Sequence, residues 1–265
     1  MKIQFPIRRA ATLALTAGVA VVGLISTAAA QDATLKMRFV YDGTPPPVGN
    51  VVPNKDLEFC GKHDIPNEKL IVNPDDKGIK NVIVQVYTRS SGKDLPKTTH
   101  TPQTHVLVNK DCRFEPHIVV AQTGDTLAIT NPDPVGHNAN VNFIRNTPQN
   151  PMIPSGQKKE IVLEEEEPAA IPVDCNIHPW MKAYIVVLEH PFVDVSNDSG
   201  EIEIQGLPAG KEIEFVVRYE GGKLDEVKVD GKPTEWKRHR FEVDLKSGVN
   251  DMGDILVPAS AVSAD

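Results

Sequence analysis

Short runs in which apolar and polar residues alternate follow one another along most of the chain. Alternation with many β-branched and aromatic residues is typical of half-buried strands. Turn-forming pairs such as Asp42-Gly43, Ser91-Gly92 and Asp230-Gly231 separate the runs, and no window shows a helical repeat. The pattern predicts an all-β fold built from β-sandwiches. The predicted strands are LKMRFVY, NVIVQVY, THVLV, HIVVA, TLAIT, KEIVL, AYIVVLE, EIEIQ, EIEFVVRY, EVKVD and RFEVDL.

A domain boundary is predicted near His190-Pro191. Beyond it, a loop, a strand, a Leu-Pro-Ala-Gly turn and a longer strand indicate a second, smaller sandwich. We therefore expect one domain at 31–189, with an N-terminal extension or insertion, and another at 190–265.

The start of this second segment resembles the carboxypeptidase regulatory-like family of small β-sandwiches, which have structural or adhesive roles. The resemblance implies an all-β domain here, although isoleucine stands at 202 where that family usually has an aromatic residue. The matching residues are Asp198, Gly200, Ile202, Ile204, Leu207, Pro208, Ala209 and Gly210.

Two segments rich in proline and polar residues, 42–56 and 145–159, are predicted to be surface loops. The acidic run Glu164–Glu167 before Pro168 is predicted to be a solvated edge that discourages strand pairing.

The first 30 residues have the pattern of a secretory signal peptide. Lys2, Arg8 and Arg9 precede an apolar run, and three alanines end the segment. The apolar run is short for a membrane span, so we expect cleavage, export and no span in the mature protein. The arginine pair also permits the twin-arginine route.

Charge narrows the range of partners. Cleavage after residue 30 leaves 25 basic against 36 acidic residues, a net charge of −11. An acidic surface argues against nucleic acids and anionic membranes as partners.

Three cysteines, Cys60, Cys112 and Cys175, leave one thiol over in an exported protein. Because Cys175 lies among metal donors, the simplest pairing is a Cys60–Cys112 disulfide, which an oxidising compartment permits. Two separate thiols at 60 and 112 are the alternative, since sequence does not show whether their Cα atoms come close.

Cys175, His178 and Met181 place a thiolate, an imidazole and a thioether within seven residues. Extended, the chain would separate the first and last by about 20 Å, whereas donors on one metal lie within about 5 Å of each other. If all three bind one ion, this segment is a tight loop, which Pro179 favours because it cannot donate to a ladder.

His137, in the loop after TLAIT, supplies a fourth ligand from another turn of the same sandwich end. A trigonal set of His137, Cys175 and His178 with a weak axial Met181 is the blue-copper arrangement. Its soft and borderline donors hold both copper oxidation states, which suits electron transfer. Zinc is the alternative metal, although it seldom binds thioethers. A buried apolar cluster that binds no metal is the other alternative.

The loop resembles that of the cupredoxins, that of amicyanin first and those of plastocyanin and pseudoazurin more loosely. The resemblance implies that the copper domain is a Greek-key β-sandwich. The segment Phe114–Asn138 resembles their upstream segment, and the likeness extends over roughly 104–189, about a third of the chain. Taken together, the chain resembles cupredoxin-like proteins often labelled methylamine utilization proteins. The resemblance implies that Asn138 joins the two ligand loops and orients the ligands. The residues in register are Phe114, Pro116, Gly124, Asp125, Thr126, Asn131 and His137.

This resemblance implies an exported type 1 copper protein with one copper per chain that carries or relays single electrons. We expect a periplasmic redox protein, such as a cytochrome or a dehydrogenase, as its partner, and His178 at the exposed edge of the centre. The chain contains no His-x-His pair and no nucleophile–base constellation, so we do not expect an enzyme. A copper-binding or structural module of the cell envelope without electron transfer is the alternative.

Functional roles for several other residues are less well supported by the sequence. Cys60 with His63 could mark a second metal site, but a half-cystine and a surface histidine are favoured. His117 is expected on the surface or in packing. Trp180 is expected to form a partly exposed apolar patch around His178, at which a redox partner would dock, and Trp236 to be packed in a core or at a strand edge.

Overall fold

The structure is a computed structural model that describes residues 32–264. The predicted signal peptide, residues 1–30, lies outside the described residues. Within them the fold is β-structure apart from one four-residue helix, α1 (Thr88–Ser91), and short 3₁₀ turns at Cys60–Lys62, Gly92–Asp94, Lys237–His239 and Ala259–Ala261. The predicted all-β class is therefore confirmed.

Nineteen strands are present in the described part of the chain. They are β1 (Asp32–Asp42), β2 (Ile83–Val86), β3 (Thr104–Lys110), β4 (Arg113–Glu115), β5 (Ile118–Gln122), β6 (Thr126–Thr130), β7 (His137–Asn138), β8 (Asn140–Val141), β9 (Met152–Ile153), β10 (Lys158–Val162), β11 (Ile171–Asp174), β12 (Lys182–Leu188), β13 (Val193–Val195), β14 (Glu201–Pro208), β15 (Lys211–Arg218), β16 (Glu226–Val229), β17 (Lys232–Glu235), β18 (Arg240–Leu245) and β19 (Gly248–Pro258).

The strands form two sandwiches. Sandwich A consists of the sheets β10-β6-β3-β4 and β5-β12-β11-β8, and the short pair β7-β9 lies at one end of it. Leu107, Phe114 and Leu127 from the first sheet share a core with Val173 and Ile185 from the second. Removing these side chains from water is the main force that holds the two sheets together.

Sandwich B consists of the sheets β14-β1-β19-β16-β17 and β13-β2-β15-β18. Phe39 on β1 and Phe215 on β15 lie in its core, and Trp236 packs edge-on against Phe39 with ring centroids 6.3 Å apart. Trp236 is therefore a core residue, one of the two placements expected for it.

Sandwich B begins earlier in the chain than the sequence indicates. β1 lies between β14 and β19, and β2 lies between β13 and β15, so both N-terminal strands belong to it. The predicted division into 31–189 and 190–265 therefore differs from the strand pairing. β1 has the 11-residue β19 as its parallel partner, and the polar first half of β19 gave no strand signal in the sequence.

The acidic run was predicted to be solvated, and for Glu167 this is wrong. Glu167 is buried, and its carboxylate accepts hydrogen bonds from the backbone N–H groups of Ile144, Arg145 and Asn146 at 2.9–3.2 Å. Within a run of four glutamates, the carboxylate of Glu167 thus satisfies three backbone donors that would otherwise be unpaired.

A buried ion pair joins the two sandwiches. His117 of sandwich A, expected on the surface or in packing, is buried, and its Nε2 lies 2.9 Å from Oε2 of Glu220, which follows β15 of sandwich B. Burial lowers the pKa of His117, but hydrogen bonding and charge from Glu220 and Glu68 outweigh it and raise the pKa to about 9.

Gly200, one of the residues in the resemblance described above, lies against the β1 backbone. Its φ is +78°, and a Cβ there would come within 2.1 Å of the carbonyl oxygen of Phe39. Gly210 has a similar φ of +72°, but a Cβ there would meet nothing within 4 Å. The structure thus explains glycine at 200 by both conformation and space, and at 210 by conformation alone.

We expect Gly200→Ala to destabilise the protein much more than Gly210→Ala. The left-handed backbone costs either alanine roughly 1–2 kcal/mol, and only Gly200→Ala must also displace a backbone carbonyl, adding about 1–3 kcal/mol. Urea unfolding of both variants measures the difference. Equal free energies of unfolding would contradict the close approach of residue 200 to β1.

Candidate metal centre

Two turns at one end of sandwich A bring the predicted ligands together. Cys175 follows β11, and β12 begins at Lys182, which pairs with Asp174 and closes the turn between them. Within the turn the backbone N–H of Cys175 donates to the carbonyl of Met181 at 3.2 Å, and the N–H of Met181 donates to that of His178 at 2.9 Å. The segment is the tight loop that binding of one ion by all three side chains requires.

His137 comes from the other turn, on β7, which pairs with β9. Its Nδ1 lies 3.0 Å from Nδ1 of His178, a residue 41 positions later in the chain. Sγ of Cys175 lies 3.8 Å from Nδ1 of His178. One donor atom from each of the three residues falls within 4.8 Å of the others, and all three side chains are buried. A single ion can therefore contact all three.

Met181 is buried in the core of sandwich A, in the same cluster of packed side chains as Cys175. The loop backbone fixes its position through the two hydrogen bonds described above. Met181 therefore lies on the loop that carries two of the three donors, with its side chain in the core of sandwich A.

Each imidazole has its second nitrogen held by a carboxylate. Nε2 of His137 lies 3.0 Å from Oδ2 of Asp133, and Nε2 of His178 lies 2.7 Å from Oδ2 of Asp56. Since a carboxylate only accepts, these contacts place the proton on Nε2 and leave the Nδ1 lone pairs free to bind a metal. Neither aspartate was identified from the sequence, because carboxylates beside metal-binding histidines have no fixed spacing.

Asn138 joins the two turns. Its Oδ1 accepts a hydrogen bond from the backbone N–H of Asn176 at 2.8 Å and lies 3.4 Å from Sγ of Cys175. Its Nδ2 donates to Oδ1 of Asn150 at 2.6 Å. Asn138 therefore links the two turns, and its orientation of the ligands stays a prediction.

The surroundings favour the thiolate form of Cys175. Burial alone raises the pKa of the thiol, but hydrogen bonding to His137 and His178 and to nearby backbone outweighs it and lowers the pKa to about 6. Burial lowers the pKa of His137, but hydrogen bonding and charge from Asp133 and Cys175 outweigh it. The pKa of His137 is therefore raised above its ordinary value. A thiolate is the form of cysteine that binds metals.

The prediction that His178 lies at an exposed edge is wrong. Its side chain is 0% exposed, because the segment before Cys60 places Asp56 over its Nε2. The predicted disulfide is confirmed: Cys60 and Cys112 are bonded, with their Cα atoms 5.5 Å apart, and Cys175 is free. The disulfide fastens this covering segment to sandwich A.

Trp180 lies beside the covered imidazole. Its ring centroid is 5.1 Å from that of His178, and its Nε1–H donates to the carbonyl of Cys112 at 3.0 Å. The side chain is half-buried, in keeping with the partly exposed patch expected around His178.

Cys112 also lies close to Asp133 and His137, but its sulfur is held in the disulfide and so is no thiolate ligand. His63 faces Asp111, with its Nδ1 3.6 Å from Oδ1. Among residues 32–264, Cys60 and His63 therefore share no second cluster of metal donors.

Comparison with family models and with curated proteins finds no match. Solved structures similar to this chain include a reduced amicyanin variant, with 21% identity and a TM-score of 0.29 over 32% of this chain and 81% of that one. A purple cupredoxin from Nitrosopumilus maritimus shows 24% identity and a TM-score of 0.27 over 33% and 99%. A copper-containing nitrite reductase from Thermus scotoductus SA-01 shows 23% identity and a TM-score of 0.29, over 34% of this chain and 23% of that one. Likenesses at this level carry no argument about function, which rests on the geometry above.

No helix in the described part of the chain is long and apolar enough to cross a membrane.

We expect Asn138→Ala to weaken metal binding by about 10- to 100-fold, because the amide that joins the two turns is lost. Titration with cobalt(II), a spectroscopic probe of thiolate ligation, measures the affinity. Asn140→Ala is the matched control, since Asn140 reaches only the side chain of Asn176, at 3.4 Å. Equal affinities in the two variants would show that Asn138 does not position the ligands.

Proposed function

We propose that the chain is an exported type 1 copper protein that carries or relays single electrons. One observation supports this above all: the donor atoms of His137, Cys175 and His178, from two separate turns, lie within 4.8 Å of one another, and a buried Met181 ends the turn that carries two of them. A thiolate, two imidazoles and a thioether suit copper in both of its oxidation states.

The residues present fit one copper ion per chain. His137 and His178 would hold it through Nδ1, Cys175 through its thiolate, and Met181 would add its thioether as a weaker donor. When bound, copper supplies a one-electron couple at the centre. Zinc remains the competing ion, but a site with a thioether beside a thiolate and two imidazoles matches its preferences less well.

The protein's contribution to electron transfer is rigidity. Asp133 and Asp56 hold the outer nitrogens of the two imidazoles, and Asn138 holds the cysteine turn. Ligands fixed in this way move little when the charge of the centre changes, so little reorganisation opposes the electron. Burial excludes water, which would otherwise reorient during the transfer.

Electrons would enter and leave through the side of the centre that faces the covering segment. The half-buried ring of Trp180 and the exposed Pro179 lie next to His178, and Asp56 closes its Nε2 edge. We propose that a periplasmic redox protein, such as a cytochrome or a dehydrogenase, docks there, and that the chain is a carrier rather than an enzyme.

A copper-binding or structural module of the cell envelope without electron transfer is the second candidate. One observation favours it: His178 is fully buried beneath a disulfide-fastened segment, whereas a protein that passes electrons to a partner benefits from a ligand at its surface. Redox behaviour separates the two candidates.

We expect the copper-loaded protein to bind one copper per chain and to show an intense visible band from thiolate-to-copper charge transfer. Cys175→Ser removes the only thiolate donor and should abolish the band. Met181→Leu removes only the weak axial donor and should keep a band at a shifted wavelength. A band of unchanged intensity in Cys175→Ser would refute the assignment of this centre.

We expect Asp56→Ala to speed electron exchange several-fold, because the access gained by uncovering the Nε2 edge of His178 outweighs the loss of the carboxylate that orients the imidazole. Stopped-flow oxidation of the copper(I) protein by a small inorganic complex measures the rate. Glu58→Ala removes the same charge from an exposed neighbour in the same segment and should leave the rate unchanged.

Equal rates in the two variants would contradict the covering role of Asp56. If the unmodified protein shows no reversible one-electron cycling, the second candidate replaces the first.

A further inference from the structure

A cleft that includes none of the metal donors contains most of the arginines in the described part of an acidic chain. The formal net charge is −8, and seven arginines lie among residues 32–264. Five of them line one cleft of about 440 Å³ between the sandwiches. We call it the arginine cleft, lined by Arg89, Arg145, Arg218, Arg238 and Arg240. Like charges repel, so such a concentration in an acidic protein calls for a physical reason.

Internal partners do not account for this charge. In the described part of the chain, the guanidinium groups of Arg89 and Arg238 make no hydrogen bond or ion pair. Arg218 donates from Nη2 to the carbonyl of Pro168 at 2.9 Å, while its Nε is buried without a partner. A buried N–H that lacks an acceptor is costly, and an anion in the cleft would satisfy it.

The remaining two arginines are oriented by neighbours. Arg240 donates from Nη1 to Oε1 of Glu214 at 3.1 Å and lies over the ring of Tyr87, with Cζ 4.3 Å from the centroid. Arg145 lies 3.4 Å from Oε2 of Glu166. These contacts restrict the two side chains, so they lose less freedom when a ligand binds.

Two glutamates line the cleft, and neither cancels its charge. Glu167 turns its oxygens towards the backbone of 144–146 and is buried there. Glu166 faces only Arg145 among the arginines. Arg145 pairs with Glu166 and Arg240 with Glu214, so the guanidinium groups of Arg89, Arg218 and Arg238 are the three in the cleft that face no carboxylate.

The backbone beneath the cleft is strained. Arg238 and His239 have φ values of +58° and +60°, although neither is glycine. Such residues cluster at ligand sites, where the surrounding structure holds them in place. Here the buried Trp236 and a hydrogen bond from the N–H of His239 to Oδ1 of Asp225 at 2.9 Å hold the turn.

The shape and the remaining polar groups distinguish between anions. The guanidinium groups come from four separate segments, around 89, 145, 218 and 238–240. A planar carboxylate offers two oxygens in one plane, whereas a tetrahedral phosphate offers oxygens in several directions. The buried Gln85, which also lines the cleft, has an Oε1 without a partner. Near neutrality a phosphate monoester, whose second pKa is near 6, is mainly a dianion, so its oxygens accept from the guanidinium groups rather than donate to this Oε1.

We propose that the arginine cleft binds a phosphate group, carried by inorganic phosphate, by a small phosphorylated molecule or by a lipid headgroup. The site is separate from the metal centre. None of the residues that line the cleft is among His137, Cys175, His178 and Met181. Binding therefore does not require copper.

Isothermal titration with inorganic phosphate, at constant ionic strength set with chloride, tests the proposal on the full chain. We expect saturable binding at one site per chain, at least tenfold tighter than binding of succinate, a dicarboxylate. No saturable binding, or succinate binding as tightly as phosphate, would overturn the proposal.

A pair of charge-matched variants assigns the binding to the cleft. Arg89→Gln with Arg238→Gln removes two exposed arginines that have no internal partners, so folding should be preserved. Lys93→Gln with Lys237→Gln removes the same charge from exposed neighbours that do not line the cleft. We expect phosphate affinity to fall at least tenfold in the first double variant and to change less than twofold in the second. Equal losses of phosphate affinity in the two double variants would show that only the overall charge of the protein matters and would refute the site.

Two further arms identify the source of the phosphate. Tighter binding of glycerol 3-phosphate than of inorganic phosphate assigns a small phosphorylated molecule, and co-sedimentation with vesicles containing an anionic phospholipid assigns a headgroup. Cys175→Ser lacks the metal-binding thiolate and should bind phosphate as the unmodified chain does. Phosphate binding in the cleft can therefore be shown even if the copper assignment fails. Likewise, copper binding can be shown even if the cleft binds no phosphate.

Discussion

The approach of two turns at one end of sandwich A is the constraint on which the rest of the account depends. His137 and His178 lie 41 residues apart in the chain, yet their Nδ1 atoms are 3.0 Å apart. The β11–β12 hairpin and the β7–β9 pair bring the turns to this end, and the amide of Asn138 holds them together. One donor atom from each of His137, Cys175 and His178 lies within 4.8 Å of the others, so a single metal ion could contact all three.

The covering segment changes what this centre can do. Asp56 and the Cys60–Cys112 disulfide shield an imidazole that the resemblance placed at the surface. Shielding lowers the local dielectric and fixes the ligands, both of which keep the centre rigid, but it also lengthens the path to a partner. In the proposed electron carrier, rigidity of the ligands and access for a partner would therefore oppose each other. The half-buried Trp180 would be the remaining route for the electron.

The sequence was informative where chemistry is local. Alternation predicted most of the longer strands, the spacing of Cys175, His178 and Met181 predicted a tight loop, and the cysteine count led to the disulfide. It failed where partners are distant. The pairing of β1 and β2 with C-terminal strands, the contacts of Asp56 and Asp133 with the imidazoles, and the burial of Glu167 all depend on tertiary packing. No local pattern records which segment a strand or a carboxylate will meet.

X-ray absorption at the copper K-edge of the copper-loaded protein tests the central claim most directly, because it counts the atoms around the ion. The account predicts one sulfur and two imidazole nitrogens at about 2.0–2.3 Å, taking bond lengths at comparable metal sites as a guide. Scattering from nitrogen and oxygen alone, with no short sulfur distance, would contradict it.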